Sequence, residues 1–290
     1  MKNLEKNSGR VVIIGAGWIG GAAAASLVEE GYAVVATTRT GRPRGEPLRP
    51  SATYKAFDLA RDGVAALAEL IEGAHAVIVS WAPGGPDADR RGLYLGGAEV
   101  VAQACALAPP ARLIYTSSTS ALPDQLNQLE ELDEDCAEWP TSERGRLQRD
   151  AEEVILTGAA RANVPVAVLR LAGLYGPGRE LGRIYRRDPE AVIPGSGCAP
   201  TNLVHRDDVL QAIRAALELP AAWSGVIHVC ADDHRTRREI FAEVARHEGR
   251  PAPVWELPPE PVSGKSVGNR GLREVLGVSL IHPDHDIGVG

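Results

Sequence analysis

Cysteine is scarce and scattered in this sequence. Its 290 residues hold Cys105, Cys136, Cys198 and Cys230. That spacing fits neither a CxxC metal site nor the dense disulfide framework of a small secreted domain, so free thiols are expected, with Cys105 and Cys230 in core positions. The opening decapeptide MKNLEKNSGR has no apolar stretch of the kind a signal peptide needs, which favours the cytoplasm. One charge-free stretch, 11–28, approaches the length of a membrane span, but Gly15, Gly17, Gly20 and Gly21 break it. A buried strand, a turn and a helix explain it better than one continuous helix. Basic residues are not in excess either: the formal charge is −7. Seven carboxylates lie within 124–138 (Asp124, Glu130, Glu131, Asp133, Glu134, Asp135, Glu138), and outside that block acids and bases balance. A nucleic-acid partner would call for a net basic surface, so none is expected. No Gly-x-Ser-x-Gly or Ser/His/Asp spacing points to a hydrolase.

What is present alternates. Apolar, β-branched runs at 11–14, 33–37, 75–80, 113–116 and 164–171, with a weaker one at 54–57, are separated by segments rich in Ala, Leu and Glu. Helices are expected near 64–72, 93–107, 142–162, 207–219 and 237–247. This rhythm predicts βαβ units and an α/β fold, a doubly wound parallel sheet with helices on both faces and ligands beyond the C-terminal strand ends. From Tyr175 onward Gly and Pro become frequent. The expected division is therefore a dinucleotide-binding domain over 1–174, its sheet completed by 202–232, and a mainly substrate-binding region over 175–290.

Directly after the first run stands Gly15-Ala16-Gly17-Trp18-Ile19-Gly20. In this strand-to-helix context each glycine has a physical role. Gly15 makes the tight turn, Gly17 lets backbone approach a diphosphate, and Gly20 lets helix and sheet close, while helix N–H groups face the anion. An NAD site usually presents a carboxylate to the adenosine ribose some 20 residues later, whereas a 2′-phosphate needs a cation. Here Thr38 is followed by Arg39, Arg42 and Arg44, with no carboxylate between Val34 and Gly45. NADP(H) is the better match and NAD(H) the lesser one. Asp58 has two readings, an acceptor for the adenine amine or a helix N-cap.

Several further segments follow in order: FDL at 57–59, LIYTSSTS at 113–120, LRLAGLYGPGR at 169–179, NLVHRDDV at 202–209 and GVIHVCADDHRTRREIF at 225–241. With GAGWIG at 15–20 they resemble the extended short-chain dehydrogenase/reductase (NAD-dependent epimerase/dehydratase) superfamily over nearly the whole chain. The GxGxxG spacing and PTSERGR at 140–146 resemble its atypical, YeeZ-like branch. The resemblance implies a Rossmann domain plus a small C-terminal substrate region. It also implies a cofactor site made by Gly15, Gly17, Trp18, Ile19, Gly20, Thr38, Arg39, Asp58, Leu59, Ser80, Trp81, Ala82, Leu171 and Gly173. For Trp81, core packing is the competing reading.

Active members of that family move protons with a Ser or Thr and a Tyr-x-x-x-Lys pair. Ser118 falls on the serine position. The helix that should carry the pair instead aligns Arg144 on the Tyr and Gln148 on the Lys. No register shift restores it, because no tyrosine lies between Tyr115 and Tyr175 and no lysine between Lys55 and Lys265. The Lys normally lowers the phenol pKa, and Gln148 brings no charge to do so. The Arg144 guanidinium can pair with a developing anion but donates a proton poorly. A lost general acid costs about 10²- to 10⁴-fold, so hydride addition to an iminium or a conjugated double bond is handicapped less than ketone reduction.

Four catalytic candidates result: Ser118, Arg144, Gln148 and Tyr175, the last more often structural in a YGPG segment. His205 reads as a packed histidine beside a capping Asp207, and His282 and His285 as part of a loose tail, so no metal is assigned. The acidic block either crosses the site or forms a solvated loop, the latter favoured. The sequence therefore predicts an NADP(H)-dependent oxidoreductase of a small organic substrate, acting as monomer or homodimer, without membrane or nucleic acid. The alternatives are a non-catalytic NADP(H) sensor and a redox-neutral cyclase or isomerase.

Overall fold

The computed structural model describes residues 9–43, 52–82, 85, 89–123, 131–188, 190–259, 264–285 and 287. In chain order the elements are β1 (Arg10–Ile14), α1 (Trp18–Glu29), β2 (Ala33–Thr38), β3 (Thr53–Ala56), α2 (Leu59–Ile71), β4 (Ala76–Val79), α3 (Gly97–Leu107), β5 (Leu113–Ser118), α4 (Glu143–Arg161) and β6 (Val166–Leu171). There follow β7 (Gly173–Tyr175), α5 (Leu181–Ile184), β8 (Val192–Ile193), β9 (Leu203–His205), α6 (Arg206–Leu217), β10 (Gly225–Val229), α7 (Arg237–His247), β11 (Val254–Trp255) and α8 (Arg270–Glu274).

Seven strands form one parallel sheet in the order β10-β6-β5-β4-β1-β2-β3. Alternate residues of β1 feed opposite faces. Val11 and Ile13 join a core with Ala23, Leu27, Val209 and Ile213 from α1 and α6. Val12 and Ile14 join a second core with Leu67, Val101 and Ile155 from α2, α3 and α4. A strand covered on both faces has no polar side, which is why RVVII lacks the alternation of a half-exposed strand. Strand order reverses beside β1, the place at which open α/β sheets take their ligands.

The smaller elements pair outside this sheet, β7 with β9 and β8 with β11. The tie between β7 and β9 sets Tyr175 opposite His205. Cys105 and Cys230 are buried, and all four cysteines are free thiols.

Two helices differ from the sequence pattern. α2 starts five residues before the expected 64, with Asp58 as its N-cap, and Gly63 at φ +70° breaks its helical geometry. A positive φ inside a helix-forming composition leaves no periodic trace. The expected 93–107 helix is a π-helical turn over Gly92–Gly96 followed by α3. Among the described residues no helix is long and apolar enough to cross a membrane.

Candidate functional site

At the end of β1 the chain reverses through Gly15, at φ +92°. A Cβ there would lie 2.7 Å from the Ser80 carbonyl oxygen. The amide of Gly15 donates to Thr37 Oγ1 (3.0 Å) and that of Ala16 to the Thr37 carbonyl (2.7 Å). Thr37, almost fully buried, was not singled out in the sequence; a hydroxyl residue ending an apolar strand was its signal. Around Gly17, by contrast, a Cβ would meet nothing within 4 Å. Gly17 also begins α1 without a side-chain cap and with no acidic residue in the first turn, whereas α2, α4, α6 and α7 are capped by Asp58, Ser142, His205 and Thr236. Open space faced by uncapped first-turn N–H groups at a helix N-terminus fits a diphosphate.

Trp18 and Ile19 open that helix. Ile19 is buried, while the Trp18 indole N–H donates to the Pro177 carbonyl at 3.1 Å. The guanidinium groups of Arg179 and Arg206 lie over its ring, 4.6 and 5.2 Å from the centroid. These two cations beside the glycine turn were not foreseen, since they come from segments some 160 and 190 residues away along the chain.

On the adenosine side, Thr38 Oγ1 donates to the Arg42 carbonyl (2.9 Å) and accepts from its amide (3.1 Å). Arg39 and Arg42 are exposed, and among the described residues no carboxylate pairs with either; Arg44 lies outside those residues. Asp58 accepts from the Ala60 amide (3.2 Å), the capping geometry. Leu59 is half-buried, Ser80 is buried and donates its amide to Ile14 (2.8 Å), and Ala82 is exposed. Trp81 presents its backbone to Gly15, while its indole packs edge-on against Tyr115 at 6.1 Å between centroids.

Ser118, at the end of β5, accepts from the Ser120 amide at 3.2 Å and so caps the short turn Thr119–Ala121. The first turn of α4 rests on this loop: a Cβ on Gly145 would sit 2.6 Å from the Ser120 carbonyl oxygen. Arg144 and Gln148, four residues apart, share one side of α4. Arg144 is exposed, whereas Gln148 is 3% exposed and its Oε1 is buried without a hydrogen-bond partner. Burial pushes the nearby Tyr94 phenol up, opposed by Arg144, Gln148 and Arg90. Tyr94 precedes β5 and so lies outside the segment in which the family carries its tyrosine. A lysine also arrives from far along the chain: Lys265 Nζ donates to the Thr119 (2.8 Å) and Leu122 (3.2 Å) carbonyls behind the Ser118 turn.

One turn beyond Gln148, Glu152 is buried and forms a fork with Arg170 of β6, Nη2 to Oε2 at 2.7 Å and Nε to Oε1 at 3.0 Å. Ser117 donates to the same carboxylate at 2.6 Å. Burial pushes Glu152 up, opposed by Ser117 and Arg149; the Arg170 fork further favours the ionised form. Arg170 Nη1 lies 3.3 Å from His228 Nε2, which extends the polar chain to β10.

Leu171 is buried at the end of β6, and Gly173 donates its amide to Asn202 (2.8 Å). Tyr175 is 2% exposed, its ring edge-on to His205 (5.1 Å) and His285 (6.1 Å). Three expectations need correction here. The cap of α6 is His205, not Asp207: the Asp207 amide donates to His205 Nδ1 at 3.2 Å. Residues 281–285 are not a loose tail, because buried Asp208 accepts from the Ile281 (2.6 Å) and His282 (3.1 Å) amides, and His285 is buried. The described part of the acidic block is exposed at Glu131, Asp135 and Glu138 but is anchored rather than mobile. Glu134 accepts from the His228 (3.0 Å) and Gly271 (3.1 Å) amides, Leu132 is buried, and Asp135 pairs with Arg270 at 2.8 Å. Residues 124–130 lie outside the described ones.

Comparison with known proteins agrees with this architecture. The model of the NAD dependent epimerase/dehydratase family matches residues 11–230. The chain therefore belongs to that family. Protein YeeZ of Escherichia coli K12 is 28% identical over 95% of this chain and 97% of its own. Among solved structures, UDP-glucuronic acid 4-epimerase from Bacillus cereus, in complex with NAD, superposes with a TM-score of 0.76 at 18% identity, covering 94% of each chain. UDP-glucose 4-epimerase from Thermotoga maritima, with UDP-glucose, gives 0.75 at 19% identity, also over 94% of each.

Proposed function

We propose that the chain is an NADP(H)-dependent oxidoreductase of a small organic substrate. The open space before Gly17 at the uncapped start of α1 carries this reading. Gly15, Gly17 and Gly20 shape the cradle, and the Trp18 and Ile19 amides face the diphosphate. Exposed Arg39, beside Thr38 and with Arg42 nearby, takes the 2′-phosphate. Asp58 and Leu59 border the adenine; Ser80, Trp81 and Ala82 line the dinucleotide through their backbone; Leu171 and Gly173 flank the nicotinamide. The bound coenzyme supplies hydride transfer. Against it, Ser118 orients a substrate oxygen or nitrogen, and Arg144 pairs with charge that develops there. Gln148 occupies the place of the family's lysine without its charge. Tyr175 supports the wall from behind.

With neither Tyr nor Lys at 144 and 148, substrates that need little acid assistance suit the site best. Screening NADPH oxidation at 340 nm against ketones, iminium compounds and enones tests this. Turnover of iminium compounds or enones above that of ketones is expected, and oxidation confined to simple ketones contradicts it. The same missing pair supports a second reading, an NADP(H)-binding sensor, which binding without turnover on any substrate would favour.

A further inference from the structure

At the start of α6 three potential ligand side chains converge from two distant parts of the chain. His205 Nδ1 lies 3.6 Å from Asp207 Oδ2, and the same oxygen lies 3.7 Å from His282 Nε2. All three donor atoms fall within 4.8 Å of one another. In a tetrahedral zinc site with bonds of 2.0–2.2 Å, ligand atoms stand about 3.4 Å apart. Two of the three separations are thus already near that value. We propose that His205, Asp207 and His282 bind a divalent transition-metal ion of the zinc class, which staples the 281–285 segment onto α6.

Two observations support preorganisation. His205 closes β9, paired with β7, and its ring packs against Tyr175 at 5.1 Å. His282 is held in place by Asp208, fully buried, which accepts the amides of Ile281 and His282 at 2.6 and 3.1 Å. The two imidazole rings are in contact, 3.7 Å apart between centroids, and sharing one ion requires them to part to about 5 Å and turn a ring nitrogen each toward it. A carboxylate fixed by three donors, the third being Gln211 Nε2 at 3.2 Å, thus acts as the support for a ligand it does not itself provide.

The donor set selects the ion. Two imidazole nitrogens with one carboxylate suit zinc and its neighbours and do not suit Mg²⁺ or Ca²⁺, which take oxygen ligands. A three-residue set leaves a fourth position to water. The Asp207 amide, which now donates to His205 Nδ1 at 3.2 Å, sits in the first turn of a helix, where water replaces a lost acceptor. A cation at a helix N-terminus opposes the dipole, and Asp207 and Asp208 in that first turn offset this. His285 is outside the set: its Nδ1 lies 3.2 Å from Asp233 Oδ2 instead.

Calorimetry of untagged, chelator-treated full-length protein with zinc sulfate tests the site without any coenzyme or substrate. The expected result is one equivalent bound, a raised melting temperature, and no heat from MgCl₂ or CaCl₂. H282A and D207A, both at partly exposed positions, are expected to weaken zinc binding by about 100-fold, while H247A on the exposed end of α7 leaves it unchanged. Equal melting temperatures of the metal-free variants establish that the fold is intact; if one variant melts low, the other decides. Absence of zinc binding by the wild type, or wild-type affinity in H282A or D207A, overturns the proposal.

Discussion

The backbones of Gly15 and Gly20 touch so closely that a Cβ on Gly20 would lie 2.3 Å from the Gly15 carbonyl oxygen. That oxygen is backbone and cannot rotate away. Gly20→Ala is therefore expected to force helix α1 off the sheet and to destabilise the fold by about 1–3 kcal/mol, read as a lower urea midpoint with an unchanged slope.

Arg39 and Arg42 stand exposed at the end of β2. If they grip a 2′-phosphate, Arg39→Ala weakens NADPH by about 10-fold, that is about 1.4 kcal/mol for a charged hydrogen bond, and leaves NADH unchanged. Titration with both coenzymes checks this, and tighter NADH binding by the wild type refutes the assignment.

The Glu152–Arg170 fork joins α4 to β6 with both side chains buried. Removing one partner strands the other charge in the core. Glu152→Gln and Arg170→Met are each expected to cost about 3–5 kcal/mol, and the double variant less than the sum of the two. Chemical denaturation of the four proteins measures the cycle.

His285 is packed beside Asp233, Arg235, His234 and Tyr175. Burial, against the pull of Asp233, holds its imidazole down to about 4. Its folded pKa lies below the unfolded value of about 6.5, so the fold binds fewer protons there. The stability it contributes is fully present above pH 6.5 and lost as pH falls toward 4. Allowing for solvent screening, the loss between pH 6.5 and 5 is about 1–2 kcal/mol. Denaturation midpoints across that range are expected to fall more steeply in the wild type than in His285→Asn.

The sheet was legible because its central strands are continuous β-branched runs. The expected 11–14, 33–37 and 113–116 strands differ from β1, β2 and β5 by two residues at most. The glycine turn was legible because each glycine answers a separate steric demand. What escaped was brought in by tertiary packing. Lys265 reaches the Ser118 turn from 147 positions further along the chain, and Tyr94 meets Gln148 across two helices, so neither leaves a local motif. The 281–285 segment read as a loose tail because its own composition is polar; its anchor, the Asp208 carboxylate, sits on another element. His205 was passed over as a cap because a histidine ring nitrogen rarely does what Asp, Asn, Ser or Thr oxygens do.

The most direct test of the coenzyme site compares wild type and Gly17→Ala by calorimetric titration with NADPH. Beyond its own chain neighbours, a methyl at position 17 meets no protein atom within 4 Å, so it enters the space assigned to the diphosphate. Saturable heat is expected for the wild type, and a loss of binding in Gly17→Ala with cooperative unfolding retained. No heat for the wild type with either NADPH or NADH, or undiminished binding in Gly17→Ala, would contradict the assignment.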